Sequence, residues 1–96
     1  MLVLVTYDVN TQTVAGCKRL RRVAKICTNH GQRVQNSVFE CLLDASQYVL
    51  FKAALEHEID PEQDSLRFYA LGNHYKSKVE HIGVGLQWSQ DDILLL

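Results

Sequence analysis

The segment Leu2-Val3-Leu4-Val5-Thr6-Tyr7-Asp8 constrains this chain more than any other, because an apolar run stops there on a carboxylate. Met1 to Val5 is apolar and β-branched, the character of a central strand covered on at least one face. An ionised acid closing such a strand is unfavourable unless a partner, a proton or a metal accompanies it. The alternative is an acid that caps the turn or helix that follows.

With 96 residues, the chain has room for one domain and one core. A domain this small leaves much of its surface uncovered, so a partner subunit would add useful burial. An apolar share of 47% with 22% charged residues excludes a disordered composition. The net charge of -1 does not by itself announce a nucleic-acid binder, but the charges are unevenly placed. Lys18, Arg19, Arg21, Arg22 and Lys25 concentrate five of the 10 Lys and Arg residues in one short segment. Glu56, Glu58, Asp60, Glu62 and Asp64 form an opposing acidic stretch. A polarised surface or two solvated faces would explain both. Cys17, Cys27 and Cys41 lack metal-type spacing, and His30, His57, His74 and His81 lack zinc spacing. Reduced, mostly buried thiols and the absence of a signal-type or membrane-length apolar stretch lead to the expectation of a cytoplasmic protein with no membrane association.

Thr11 to Thr13 offers N-cap candidates for a helix whose apolar stripe is Cys17, Leu20, Val23, Ala24 and Cys27. Lys18, Arg22 and Lys25 occupy its far side, and Gly31 is placed as its C-terminal cap. Arg33 to Asp44 reads as extended with a polar break at Asn36-Ser37, either a hairpin or a bulge. A second helix runs from Ala45 or Ser46 to Glu58, and Ser65 to Leu71 alternates as another strand. The order is β-α-β-β-α-β, an α+β ferredoxin-like sandwich with one sheet face left open. Residues 1–78 are expected to form this domain. Residues 79–96 would supply a short strand at Val79–Val84, Trp88 as an anchor and Ile93–Leu96 as a plug, packed on a second subunit.

The chain resembles the small CRISPR-associated adaptation endonuclease family. The resemblance rests on Val5-Thr6-Tyr7-Asp8-Val9, the helix segment Arg19 to Lys25, the block Gly31-Gln32-Arg33-Val34-Gln35-Asn36-Ser37-Val38-Phe39-Glu40, and the strand Asp64 to Tyr69. It implies a ferredoxin-like homodimer that binds DNA or RNA, cleaves phosphodiesters with Mg²⁺, and works beside a CRISPR adaptation integrase. By position it implies Asp8 as the metal carboxylate near the dimer axis, and Tyr7, Arg19, Arg33 and Phe39 as residues tied to activity or nucleic-acid contact. Val9 to Thr13 carries no further acid. A single Asp8 is a thin Mg²⁺ site, whereas two related by a two-fold axis make a sensible one.

Read as residues, these side chains keep other options. Lys18, Arg19, Arg21, Arg22 and Lys25 would track phosphates or simply face water. Arg33 would clamp a phosphate or pair with Glu40, Phe39 would stack on a base or fill the core, and Tyr7 would donate to a phosphate or to a seam. Rival functions are a non-catalytic DNA scaffold, a toxin-like ribonuclease of the virulence-associated protein D group, and a regulatory domain without nucleic acid.

Overall fold

In a computed structural model, which describes residues 1–84, the elements follow in the order β1 (Leu2–Asp8), α1 (Val14–His30), β2 (Gln32–Gln35), β3 (Val38–Leu42), α2 (Ala45–Glu58) and β4 (Ser65–Gly72). The four strands form one sheet in the order β2-β3-β1-β4, with every neighbouring pair antiparallel. This is the expected ferredoxin-like arrangement, with both helices on one sheet face. Among the described residues no helix is long and apolar enough to cross a membrane.

β1 is central because its apolar run can be packed while its backbone pairs on both edges, to β3 and to β4. Successive side chains point to opposite faces. Val3, Val5 and Tyr7 are buried toward the helices, whereas Leu4 and Thr6 are half-buried and Asp8 is exposed on the other face. Phe39 and Cys41 of β3 continue the helix-side core, which Val23, Cys27, Phe51 and Leu55 close from above. Phe39 and Phe51 are both essentially inaccessible, so truncating either to Ala would destabilise the fold by about 3–5 kcal/mol.

The helix ends are set by local chemistry. The Thr13 side chain accepts a hydrogen bond from the Gly16 N–H at 3.0 Å, making Thr13 the N-cap of α1. Asp44 and Gln47 form a reciprocal capping box at the start of α2. Gly31 closes α1 through its N–H to the Cys27 carbonyl at 2.9 Å, but its backbone is extended (φ -164°). Glycine is needed there for close approach rather than for left-handed geometry, because a Cβ would run into Cys41 Sγ and the Glu40 carbonyl.

One expectation changes and another resolves. Cys17 is exposed rather than part of the buried stripe, and Gly16 takes the inward position because the Asn10 carbonyl lies against it. Asn36-Ser37 is a hairpin turn and the paired strands also carry a bulge, since the register slips between Arg33 and Gln35. Within the single chain Val79–Val84 pairs with no strand. An isolated extended segment leaves its backbone groups without a sheet edge to pair with, and Ile82 and Val84 stand fully in solvent. Trp88 and Ile93–Leu96 lie outside the described residues.

Candidate metal and nucleic-acid site

Asp8 ends β1 opposite Ser65 of β4, on the sheet face that the helices leave open. It caps nothing in α1, because Thr13 fills that role. The one ion pair among the described residues joins Arg19 and Asp64, so Asp8 is not held by a cation. Among the described residues no group of three or more His, Cys, Asp or Glu side chains converges to hold an ion. Mg²⁺ is commonly held by one or two carboxylates with waters and phosphate oxygens. Asp8, exposed and unpaired among the described residues, is free to supply one such carboxylate.

The open face around Asp8 has a mixed character. Leu4, Thr6, Val38 and Leu42 are half-buried, and Tyr69 and Arg67 are exposed beside them. Glu40 lies on the same face, and partial burial pushes its carboxyl above the usual range, opposed by nearby His81.

Tyr7, Arg33 and Phe39 come together, but on the other side of the sheet from Asp8. Strand parity decides this: Arg33 pairs with Phe39, which pairs with Val5, and all three face the helix layer. The Arg33 guanidinium lies 5.0 Å from the Phe39 ring centroid, and the Tyr7 and Phe39 rings stack at 6.1 Å. Phe39 is completely buried, so it is a core residue and not an open platform for a base. The Tyr7 hydroxyl donates to the Asn36 carbonyl at 3.4 Å. Burial pushes its pKa up, with the Arg33 hydrogen bond opposing, so Tyr7 is a neutral donor near pH 7. Arg33 remains exposed and reaches away from Glu40, which rules out that ion pair within the chain.

Lys18, Arg21, Arg22 and Lys25 line one shallow groove of about 320 Å³ on the outer side of α1. Spacings of three and four residues put all four cations on one helix face. Arg19 does not join them. Its Nε and Nη2 donate to Asp64 Oδ2 and Oδ1 at 2.7 and 3.2 Å, a bidentate pair of the kind arginine forms best.

Asp64 is the residue that sequence reasoning missed. Its carboxylate is fully enclosed and also accepts from the Asn10 N–H at 3.0 Å and the Asp60 N–H at 2.9 Å. Arg19 holds the Asp64 carboxyl below its ordinary range, and the two backbone donors add to that. No local pattern announces a pair 45 residues apart; in the sequence Asp64 is only the last acid of an acidic run.

A family model described as CRISPR associated protein Cas2 matches residues 1–79. The CRISPR-associated endonuclease Cas2 of Halalkalibacterium halodurans is 58% identical over 95 residues, 99% of each chain. The CRISPR-associated endoribonuclease Cas2 of Chlorobaculum tepidum is 61% identical over 83 residues, 86% of each chain. The crystal structure of Streptococcus pyogenes Cas2 at pH 6.5 aligns with a TM-score of 0.74 and 57% identity, covering 86% of this chain and 100% of that one. The Thermus thermophilus protein TT1823 aligns with a TM-score of 0.71 and 33% identity, over 88% of this chain and 93% of that one. With the helix-backed sheet and the strand-end Asp8 in place, the chain belongs to the Cas2 family of CRISPR-associated proteins.

Proposed function

We propose that this chain is a CRISPR adaptation protein that acts as a homodimer, binds nucleic acid and carries Mg²⁺-dependent endonuclease chemistry at paired Asp8 residues. The observation that carries this reading is the Asp8 carboxylate, unpaired among the described residues, on a partly apolar sheet face that the helices leave open. A second copy stacked on that face would cover Leu4, Thr6, Val38 and Leu42 and bring two Asp8 residues together across a two-fold axis. The nuclease names of the relatives support the reaction class.

Each side chain then has a defined task. The two Asp8 carboxylates would hold the divalent ion. Mg²⁺, when bound, would neutralise phosphate charge and make a water more acidic for in-line attack. Lys18, Arg21, Arg22 and Lys25 track backbone phosphates without reading sequence. Arg33 presents a planar fork at the hairpin edge, already oriented by Phe39. The family resemblance adds an adaptation integrase as working partner and the cytoplasm as the place of work, where three unpaired thiols are in keeping.

A second reading, a DNA scaffold that does not cleave, is favoured by strand parity. Tyr7, Arg33 and Phe39 lie across the sheet from Asp8 and bring it no assistance within one chain. Thermal unfolding of the parent and Asp8→Asn with and without Mg²⁺, run beside RNA and DNA cleavage, tests both readings. Mg²⁺ should stabilise the parent only. Equal shifts in the two proteins would end the metal assignment, and a parent-specific shift without cleavage would leave the scaffold.

A further inference from the structure

Asp64 is the best-satisfied side chain among the described residues, and its four donors come from three separate segments. Arg19 belongs to α1, Asn10 to the loop leaving β1, and Asp60 to the turn entering β4. Two of those connections flank Asp8. Asn10 follows Asp8 by two positions, and Ser65, next after Asp64, is the strand partner of Asp8. The Asn10 carbonyl in turn lies on Gly16, one turn before Arg19, so the loop is pressed onto α1 as well as hydrogen-bonded to Asp64. The strand end that carries Asp8 is thus held from the chain side and from the sheet side by one carboxylate.

We infer that Arg19 and Asp64 form a positioning pair that fixes the Asp8 strand end for the divalent ion, and that Arg19 acts through Asp64 instead of touching nucleic acid. The inference rests on Asp8 being the metal ligand. A guanidinium spent on a bidentate pair with an enclosed carboxylate is not free to clamp phosphate, whereas Lys18, Arg21, Arg22 and Lys25 have no such engagement among the described residues. Groups that orient a metal ligand without contacting the metal set its affinity, typically by about 10–100-fold.

The test measures binding of Mn²⁺, a paramagnetic stand-in for Mg²⁺, by its electron paramagnetic resonance signal, well below the melting temperature and without turnover. The proteins are the parent, Arg19→Ala, Arg19→Lys, Asp64→Asn, the Arg19→Ala/Asp64→Asn double variant, and Asp8→Asn. Half-saturation should rise by about tenfold in Arg19→Ala and in Asp64→Asn alike. The double variant should be no worse than either single, and Arg19→Lys should fall between. Metal-free affinity for duplex DNA, and its salt slope, should stay at the parent's level in the Arg19 and Asp64 variants. A salt slope lowered by about one in Arg19→Ala but not in Asp64→Asn would overturn the inference in favour of direct phosphate contact. Lowered melting temperatures with unchanged Mn²⁺ half-saturation would overturn it in favour of a purely structural pair. If Arg19→Ala fails to fold, Arg19→Lys and Asp64→Asn carry the comparison. Equal Mn²⁺ binding by the parent and Asp8→Asn would sink the metal reading and this inference with it, whereas Asp8-dependent binding indifferent to Arg19 and Asp64 would sink this inference alone.

Discussion

Tyr7 and Asp8 are neighbours in the chain and point to opposite sides of the sheet. The Tyr7 ring is buried against Phe39 beneath the helices, and the Asp8 carboxylate is exposed on the open face. The period of two along a strand makes this unavoidable. The candidate site residues are therefore divided between a packed layer and an exposed sheet face.

Asp8→Asn should stabilise the protein in metal-free, low-salt buffer. Two carboxylates brought near one another repel, and the amide keeps the shape without the charge. For partly exposed groups the gain should be about 1 kcal/mol after solvent screening. Denaturant unfolding with EDTA checks it, and an unchanged midpoint would mean that the carboxylates do not converge.

Gly16→Ala sets two opposing effects against each other. Alanine in a helix is favoured over glycine by about 1 kcal/mol. Here its Cβ would overlap the Asn10 carbonyl, a backbone group that cannot swing away. Overpacking of this kind costs about 1–3 kcal/mol, so net destabilisation of up to about 2 kcal/mol is expected. Urea unfolding showing a more stable variant would mean that the loop shifts freely.

Two acids should impose opposite pH dependences. Asp64 is depressed in the folded state by the Arg19 hydrogen bond. Its contribution is therefore complete above the ordinary aspartate range and is lost as pH falls through that range toward the folded value. Glu40 is raised by partial burial, so its charged form opposes folding, and stability from this group declines as pH rises through the ordinary glutamate range and above. Asp64→Asn should flatten the acid limb of a stability profile, and Glu40→Gln should raise stability at neutral pH. Profiles identical to the parent's would contradict both assignments.

The thiols should separate cleanly in reactivity. Cys17 is exposed, while burial pushes Cys27 and Cys41 up to about 12. A disulfide reagent at neutral pH should modify Cys17 rapidly and reach the other two only on unfolding. Mass spectrometry of the labelled native protein reads this directly, and early labelling of Cys27 would refute the packing of α1 on β3.

Arg21, Arg22 and Lys25 changed together to Ala should weaken duplex binding and reduce the log–log salt slope by about 2–3 units, near one per phosphate contact. The parent's slope in the triple variant would make the groove on α1 a solvated face only.

Open sheet faces left half-covered should close by pairing. Thr6→Arg places a charge at the centre of the open face without entering the helix-side core. Sedimentation should show the parent as a dimer and the variant as a folded monomer. A monomeric parent at micromolar concentration would remove the two-chain site.

Much of the fold was legible along the chain because its signals are local. The apolar run of β1, the alternation of β4, the polar break at Asn36-Ser37 and the Thr13 cap each act within a few residues, and each appears where expected. Gly31 was legible as the end of α1, although the reason for glycine lies in β3, which no local pattern displays. The same limit applied to Cys17, whose place in the stripe went to Gly16 because a loop packs there.

Residue types alone identified Asp8 as out of place at the end of an apolar strand and identified α1 as basic. Tertiary structure decided which cations are free and which face each candidate occupies. Arg19 and Arg22 look equivalent as sequence, yet one is bound to a buried carboxylate and the other lines an open groove. Side-chain chemistry and periodicity are properties of neighbouring residues. Ion pairing and enclosure depend on which distant segments the fold brings within about 3 Å of each other.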